Sequence, residues 1–121
     1  MASTHEIGRR FEEAVARHLS ERGWEILDRN VRFQRKELDL VIRRGALIAF
    51  VEVKGRKGTR YGHPLEAITW RKRLEIEAVA RWWIERFGEE GLSYRFDAVA
   101  VERRRDGSLA LTHVEDAWRP R

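Results

Sequence analysis

The sequence predicts an α/β fold in which a mixed central sheet of about five strands is flanked by helices. Two long segments carry apolar residues at helical intervals, and about five shorter segments are rich in β-branched and apolar residues. Their order along the chain is helix, three strands, helix, two strands. A chain of 121 residues has the size at which one hydrophobic core forms, so we expect a single domain over residues 1–121.

The composition limits the kinds of metal site, catalytic residue and partner that the protein can have. The chain has no cysteine, which excludes disulfides, thiolate metal sites and cysteine nucleophiles and leaves oxygen and imidazole donors for any metal. No apolar run is long enough to cross a bilayer and no secretory signal opens the sequence, so a cytoplasmic protein without membrane contact is expected. The net charge of +5 suits a polyanionic partner, although surface ion pairs would explain part of the basic excess.

The first helix and first strand are predicted near the N-terminus. Ser3 and Glu6 have the spacing of a capping box, and Gly23 ends the helix. Beyond it, two short apolar stretches between Trp24 and Phe33, separated by a polar break, indicate the first strand. The helix is amphipathic, and its apolar stripe contains Ile7, Phe11, Ala14, Val15, His18 and Leu19.

A hairpin and a loop follow. Residues 37–42 and 47–54 are apolar, β-branched runs separated by a short basic turn, which predicts two central antiparallel strands. Residues 55–62 combine three glycines with three basic side chains, which predicts a mobile basic loop.

The second helix is predicted over residues 70–87, with Thr69 as its N-cap and Gly88 at its end. Residues 94–101 and 109–114 then form the last strands, joined by a charged turn. The tryptophans of the second helix are interpreted as core or dimer-interface residues. Its predicted apolar stripe consists of Ile76, Val79, Ala80, Trp83 and Phe87.

Strand parity brings acidic residues together. Alternate side chains of a strand share a face, so Glu37 and Asp39 lie together, as do Glu52 and Lys54. If the hairpin turns on Arg44 and Gly45, Asp39 lies opposite Phe50 and diagonally beside Glu52, within reach of one ion. Glu37 could instead pair with Lys36 or Arg35.

These charges need an explanation, because carboxylates in apolar strands are costly to bury unless they are paired or bind a metal. The first helix offers a further acid. By helical rotation Glu12 falls at the margin of the apolar stripe, whereas Glu13 points to solvent. Glu12 can therefore face Asp39 and Glu52.

The same residues carry a resemblance. An acidic residue, a hairpin and then Glu-Val-Lys is similar to the PD-(D/E)xK nuclease core, which implies a restriction-endonuclease-like fold, and Gly8-xxx-Glu12 looks like the helix of Holliday junction resolvases. Over nearly its whole length the chain resembles the YraN-type family of small bacterial proteins. That likeness rests on Glu12-xxx-Ala16, Gly23-Trp24, Asn30, Glu37-Leu38-Asp39-Leu40, Phe50-Val51-Glu52-Val53-Lys54-Gly55-Arg56 and Arg95-Phe96-Asp97.

The resemblance implies Mg²⁺ or Mn²⁺ held by Asp39, Glu52 and the Val53 carbonyl. It also implies that Lys54 positions or activates the attacking water, with Glu12 as an accessory ligand or an orienter of water. The chain departs from the pattern at two positions. Leu38 replaces a proline found in many such nucleases, and Lys36 replaces a glycine, so that it could pair with Glu37 or contact a phosphate.

The function expected from this resemblance is metal-dependent hydrolysis of phosphodiester bonds in DNA, with branched or structured DNA favoured by analogy with resolvases. Arg56, Lys57, Arg60 and Lys72 are candidate phosphate contacts. The alternatives are a non-catalytic nucleic-acid-binding module and a protein-interaction module. A homodimer would suit a symmetric four-way junction. No catalytic serine triad, Walker loop or dinucleotide-binding glycine motif indicates other chemistry.

Overall fold

The computed structural model describes residues 4–56 and 68–121. Its helices and strands follow the predicted order, which confirms the α/β class. They are α1 (Thr4–Glu21), β1 (Glu25–Phe33), β2 (Lys36–Arg44), β3 (Leu47–Arg56), α2 (Trp70–Phe87), β4 (Ser93–Arg103) and β5 (Leu109–Trp118).

The strands form one sheet in chain order, β1-β2-β3-β4-β5. β3 and β4 are parallel, and the other neighbouring pairs are antiparallel, so the predicted mixed sheet is confirmed. Parallel neighbours need a long crossover connection, and α2 lies within the segment that makes it.

Each face of the sheet packs against one helix. On the α2 side, Phe50 is fully buried with its ring stacked on Tyr94 and edge-on to Trp83, at centroid distances of 6.0 and 5.7 Å. On the α1 side, Val15 and Leu19 of the helix pack against alternate residues of β2, β3 and β4. We call these two clusters the α2-side core and the α1-side core.

α2 has the predicted bounds. Thr69 caps it by accepting a hydrogen bond from the Lys72 N–H at 3.1 Å, and Gly88 lies at its C-terminal end. The predicted stripe is buried except for Phe87, whose ring is 53% exposed; the prediction was wrong there because Phe87 lies in the last turn, at the margin of the sheet. Within the described ranges, no helix is long and apolar enough to span a membrane.

The hairpin turn lies one residue later than predicted, at residues 45–46. Gly45 has a φ of 62°, which suits the first position of a two-residue turn that begins with glycine. The correction moves the pairing by two residues and keeps parity: continuing the observed register places Asp39 level with Glu52, and not with Phe50.

The end of β3 also differs from the prediction. Gly55 and Arg56 belong to the strand because both pair with β4, whereas residues 57–62 of the predicted loop lie outside the described residues. A Cβ atom at Gly55 would lie 2.7 Å from Cε2 of Phe11, so this position requires glycine for α1 to pack on the sheet.

The predicted polar break lies inside β1, which is one strand of nine residues. A register shift between Ile26 and Asp28 marks a bulge, and Asn30 has a left-handed φ of 50°. Asparagine adopts this conformation more readily than most residues. Both irregularities change the direction of β1 side chains near Asn30.

Candidate metal centre

The sheet divides between β2 and β3. Their ladder ends at the pair of Leu40 and Val51, yet β2 continues beside β1 to Lys36, and β3 continues beside β4 to Arg56. We call the space between these diverging ends the fork. Backbone N–H and C=O groups that face the fork have no partner strand there, so side chains can form hydrogen bonds with them.

Asp39 lies at the start of the fork. Leu38 packs in the α2-side core and Leu40 in the α1-side core, although residues two apart in a regular strand share a face. β2 therefore rotates at Asp39, whose side chain projects towards β3. Its Oδ2 accepts a hydrogen bond of 2.7 Å from the Val53 N–H, in place of a ladder hydrogen bond.

Glu52 is the most buried acid of the fork. Its side chain is 6% exposed and hydrogen-bonds to Asp39, while its buried Oε2 has no hydrogen-bond partner among the described residues. Burial, followed by the negative charge of Asp39, raises the pKa of Glu52 to about 8. Burial also raises the pKa of Asp39, although the Val53 N–H opposes this. Both shifts favour the protonated form of this pair of carboxyls.

Glu12 and Glu37 complete an acidic cluster with Asp39 and Glu52. One carboxylate oxygen from each of Glu12, Glu37 and Asp39 lies within 4.8 Å of the others, a spacing that can hold a metal ion; this group of three does not include Glu52. Burial raises the pKa of Glu12, and the charges of Asp39 and Glu37 add to the effect. Glu12 is half-buried and Glu13 exposed, as helical rotation predicted.

Asn30 joins two of these acids. Its side-chain amide donates to Glu12 Oε2 at 3.1 Å and to Glu37 Oε1 at 3.2 Å, and these two acceptors fix the orientation of the amide. The left-handed backbone of Asn30 aims the amide at both carboxylates. A residue from β1 thus links α1 to β2 at the fork.

Glu37 has other partners than those expected. It pairs with Arg32 at 3.5 Å and accepts from Asn30, whereas Lys36 donates to the Gln34 side chain at 3.3 Å. The sequence left a pairing with Lys36 or Arg35 open; in the structure the partner is Arg32, which lies directly across the ladder from Glu37.

Two lysines border the acidic cluster. Lys54 is exposed at the open end of β3, and its charge lowers the pKa of Glu52. Lys72, in the first turn of α2, is half-buried and lowers the pKa of both Asp39 and Glu52. The Arg56 side chain, Lys57 and Arg60, predicted as phosphate contacts, lie outside the part of the chain that the structure describes.

A second buried acid, Asp97, shows the contrast between a structural carboxylate and those of the fork. It accepts hydrogen bonds from Arg95 at 2.9 and 3.1 Å, from His113 at 2.8 Å and from the Asp116 N–H at 3.0 Å. Burial raises its pKa, but these hydrogen bonds outweigh that effect and the pKa of Asp97 is lowered. Asp97 is charged and satisfied, whereas Glu52 keeps an unpartnered oxygen.

Sequence reasoning missed three contributions to these clusters: the Asn30 amide, the proximity of Lys72 to the carboxylates, and the hydrogen bonds of Asp97. Asn30 and Asp97 both belong to the motifs that carry the YraN-type resemblance, which was the available signal. Strand parity and residue spacing could not predict these contacts, because the residues in contact are distant in sequence.

The fold is a restriction-endonuclease-like α/β core. It consists of a helix, a hairpin, a crossover helix and a parallel strand, with acidic residues at the fork. The model of the family described as "Uncharacterised protein family UPF0102" matches residues 11–101, and the chain belongs to this family, which confirms the YraN-type resemblance.

Relatives match along almost the whole chain. A UPF0102 protein of Symbiobacterium thermophilum is 40% identical over 93% of this chain and 95% of its own length. A UPF0102 protein of Frankia alni is 42% identical over 98% of both chains. One from Pelotomaculum thermopropionicum is 41% identical over 93% of this chain and 94% of its own. The matched family region includes all four acids of the fork.

Proposed function

We propose that this protein is a metal-dependent endonuclease that hydrolyses phosphodiester bonds in DNA, with the acidic cluster at the fork as its active centre. The observation that carries the proposal is the unpartnered Oε2 of Glu52, which is buried beside Asp39. A buried carboxylate oxygen without a hydrogen bond is destabilising, and its persistence indicates a ligand that the fork is built to receive.

The donors fit a hard divalent cation. Glu12, Glu37 and Asp39 offer carboxylate oxygens that lie close together, and Glu52 beside Asp39 offers a further one; such donors suit Mg²⁺ or Mn²⁺. The Val53 N–H faces β2 across the fork, and the carbonyl of a strand residue points to the same neighbour as its N–H. Asp39, Glu52 and the Val53 carbonyl would therefore hold the cation, and Glu12 and Glu37 would complete its surroundings.

When bound, such a cation would act as a Lewis acid that polarises a phosphoryl oxygen and lowers the pKa of the attacking water. Lys54 lies at the open end of the same strand face, where its ammonium can orient that water and offset the charge that develops on the phosphate. Asn30 holds Glu12 and Glu37 in place, so both can accept hydrogen bonds from water.

DNA is the proposed substrate because its phosphates are anions that the lysines bordering the acidic cluster, Lys54 and Lys72, would attract. The net charge of +5 favours association with a polyanion, and Lys72 adds a cation at the fork itself. The preference for branched or structured DNA follows from the resemblance to resolvases, and a homodimer would match the symmetry of a four-way junction.

The test is a cleavage assay with labelled single-stranded, duplex, flap and four-way-junction DNA in Mg²⁺, Mn²⁺ or EDTA. The wild type is compared with Glu52→Ala, Lys54→Ala and the matched control Glu13→Gln, which alters an exposed acid next to Glu12. We expect cutting that requires the metal, is lost in the first two variants and survives in the control.

Cutting that persists in EDTA or in Glu52→Ala would refute the proposal. If no substrate is cut under any metal, yet salt-sensitive binding is unchanged by Glu52→Ala, the protein is a non-catalytic nucleic-acid-binding module instead.

A further inference from the structure

Trp70, at the first position of α2, is the exposed tryptophan of this protein. Its side chain is 51% exposed, whereas Trp24, Trp83 and Trp118 are exposed by only 4, 4 and 6%, and the remaining tryptophan, Trp82, packs against the α2-side core. Of the two roles predicted for Trp70, that of a core residue is wrong, because the ring lies outside the α2-side core; that of a dimer-interface residue stays a prediction. A large aromatic surface is left open to solvent.

Cationic groups surround this ring. The guanidinium carbons of Arg121 and Arg73 lie 4.3 and 4.9 Å from its centroid. Arg71 follows in sequence with a side chain that is 92% exposed, and the first turn of α2 contains no acid. Cations at the N-terminal end of a helix oppose its macrodipole. Arg71 pairs with Glu75 at 4.0 Å and Arg73 donates to the Ile68 carbonyl at 3.1 Å, and these contacts hold both guanidinium groups at this end of the helix.

The exposed ring shares the first turn of α2 with Lys72. Lys72, whose charge acts on both Asp39 and Glu52, is two residues from Trp70 in the same turn, which separates the two Cα atoms by only about 5 Å. Leu74, one turn further along, is 61% exposed and extends the apolar surface. Side chains two residues apart on a helix point to nearly opposite sides, so a strand that wraps around this end of α2 would contact both the ring and Lys72.

We propose that Trp70 stacks on an unpaired nucleobase of a strand whose phosphates contact Arg71, Arg73 and Arg121. Only an unpaired base exposes its face to an aromatic side chain, because the bases of a duplex stack on one another. The surrounding cations favour a polyanion over a second copy of this basic chain. The inference rests on the proposed function for the course of the strand, and it names the substrate as DNA with a single-stranded segment beside the cleavage point.

Intrinsic fluorescence tests the stacking without any cleavage. The full-length protein in EDTA is titrated with oligothymidylate and with an abasic oligonucleotide of the same length, using the wild type, Trp70→Ala, Trp70→Phe and the control Trp82→Phe. We expect oligothymidylate to quench the wild type and Trp82→Phe more strongly than the abasic strand does.

The affinities provide the second readout. Trp70→Ala should lose the base-dependent quenching and bind oligothymidylate about tenfold more weakly, whereas Trp70→Phe should retain most of the affinity because phenylalanine still stacks. Unchanged thermal unfolding of Trp70→Ala would show that the ring acts in binding and not in folding. Equal affinity of the wild type for the two strands, or unaltered binding by Trp70→Ala, would overturn the inference.

Cleavage then separates this inference from the proposed function. If both hold, Trp70→Ala cuts flap DNA more slowly than the wild type, whereas Trp70→Phe cuts it at nearly the wild-type rate. Base-dependent quenching without any cleavage would refute the nuclease and leave the stacking site, and cleavage without quenching would refute the stacking site alone.

Discussion

Replacing Glu52 with glutamine tests the protonated acid pair at the fork. The wild-type side chain hydrogen-bonds to Asp39, and the amide of glutamine can donate the same hydrogen bond without a titrating proton. The folded-state pKa of Glu52, about 8, is above its ordinary value of 4.5. The native state therefore holds the proton to higher pH, and the stability contributed by this group is lost as the pH rises from about 4.5 towards 8.

The magnitude follows from this difference. At pH 7, an unfolded-state carboxyl is ionised, and keeping Glu52 protonated in the native state costs about 3 kcal/mol. The side chain is only 6% exposed, so solvent does not screen most of this cost. In the absence of metal, Glu52→Gln should therefore be more stable than the wild type at pH 7 by up to about 3 kcal/mol, with little difference near pH 4.5.

Urea denaturation at several pH values between 5 and 8, in EDTA, measures the effect. Glu13→Gln is the control, because Glu13 is an exposed acid on α1. Its free energy of unfolding should follow that of the wild type at every pH. The reasoning is refuted if Glu52→Gln and the wild type lose stability in parallel over this range, since Glu52 would then titrate normally.

Three other substitutions probe the packing and charge around the fork. Gly55→Ala should destabilise the fold by about 1–3 kcal/mol, because the added Cβ meets the Phe11 ring at 2.7 Å, and a smaller loss in a Phe11→Leu background would confirm that contact by thermal denaturation. Asp97→Asn should cost about 3 kcal/mol or more in urea denaturation by leaving Arg95 without its buried partner; an unchanged midpoint would contradict the structural role assigned to that carboxylate. Lys72→Met should reduce the salt dependence of DNA binding by about one phosphate contact and move the titration of Glu52 to higher pH in a spectroscopic titration, whereas binding with an unaltered salt slope would exclude Lys72 from the phosphate path.

Most of the fold could be predicted from the sequence because its elements carry strong local signals. α2 has an N-cap threonine, a terminal glycine and a regular stripe, and its bounds were predicted correctly. The two strands of the hairpin were predicted correctly, but the turn was placed one residue too early. The sequence allows Gly45 to be either the second or the first residue of the turn, and only the backbone geometry shows that it is the first.

The acidic cluster could be predicted only in part. Parity correctly placed Asp39 near Glu52, and rotation correctly turned Glu12 inward. The fork could not be predicted, because it depends on where the β2–β3 ladder ends, which is a property of the whole sheet. Because the fork was not predicted, the sequence suggested several neighbouring partners for Glu37 and none for Asn30.

The most direct test of the central claim is calorimetric titration of Mn²⁺ into the wild type and Glu52→Gln at pH 7, in two buffers of different ionisation enthalpy. The two buffers give the number of protons released on binding. We predict that the wild type binds Mn²⁺ and releases about one proton, because the carboxyls of Asp39 and Glu52 must both ionise, and that Glu52→Gln binds far more weakly with no release. Absence of Mn²⁺ binding, or binding unchanged in Glu52→Gln, would contradict a metal centre at the fork.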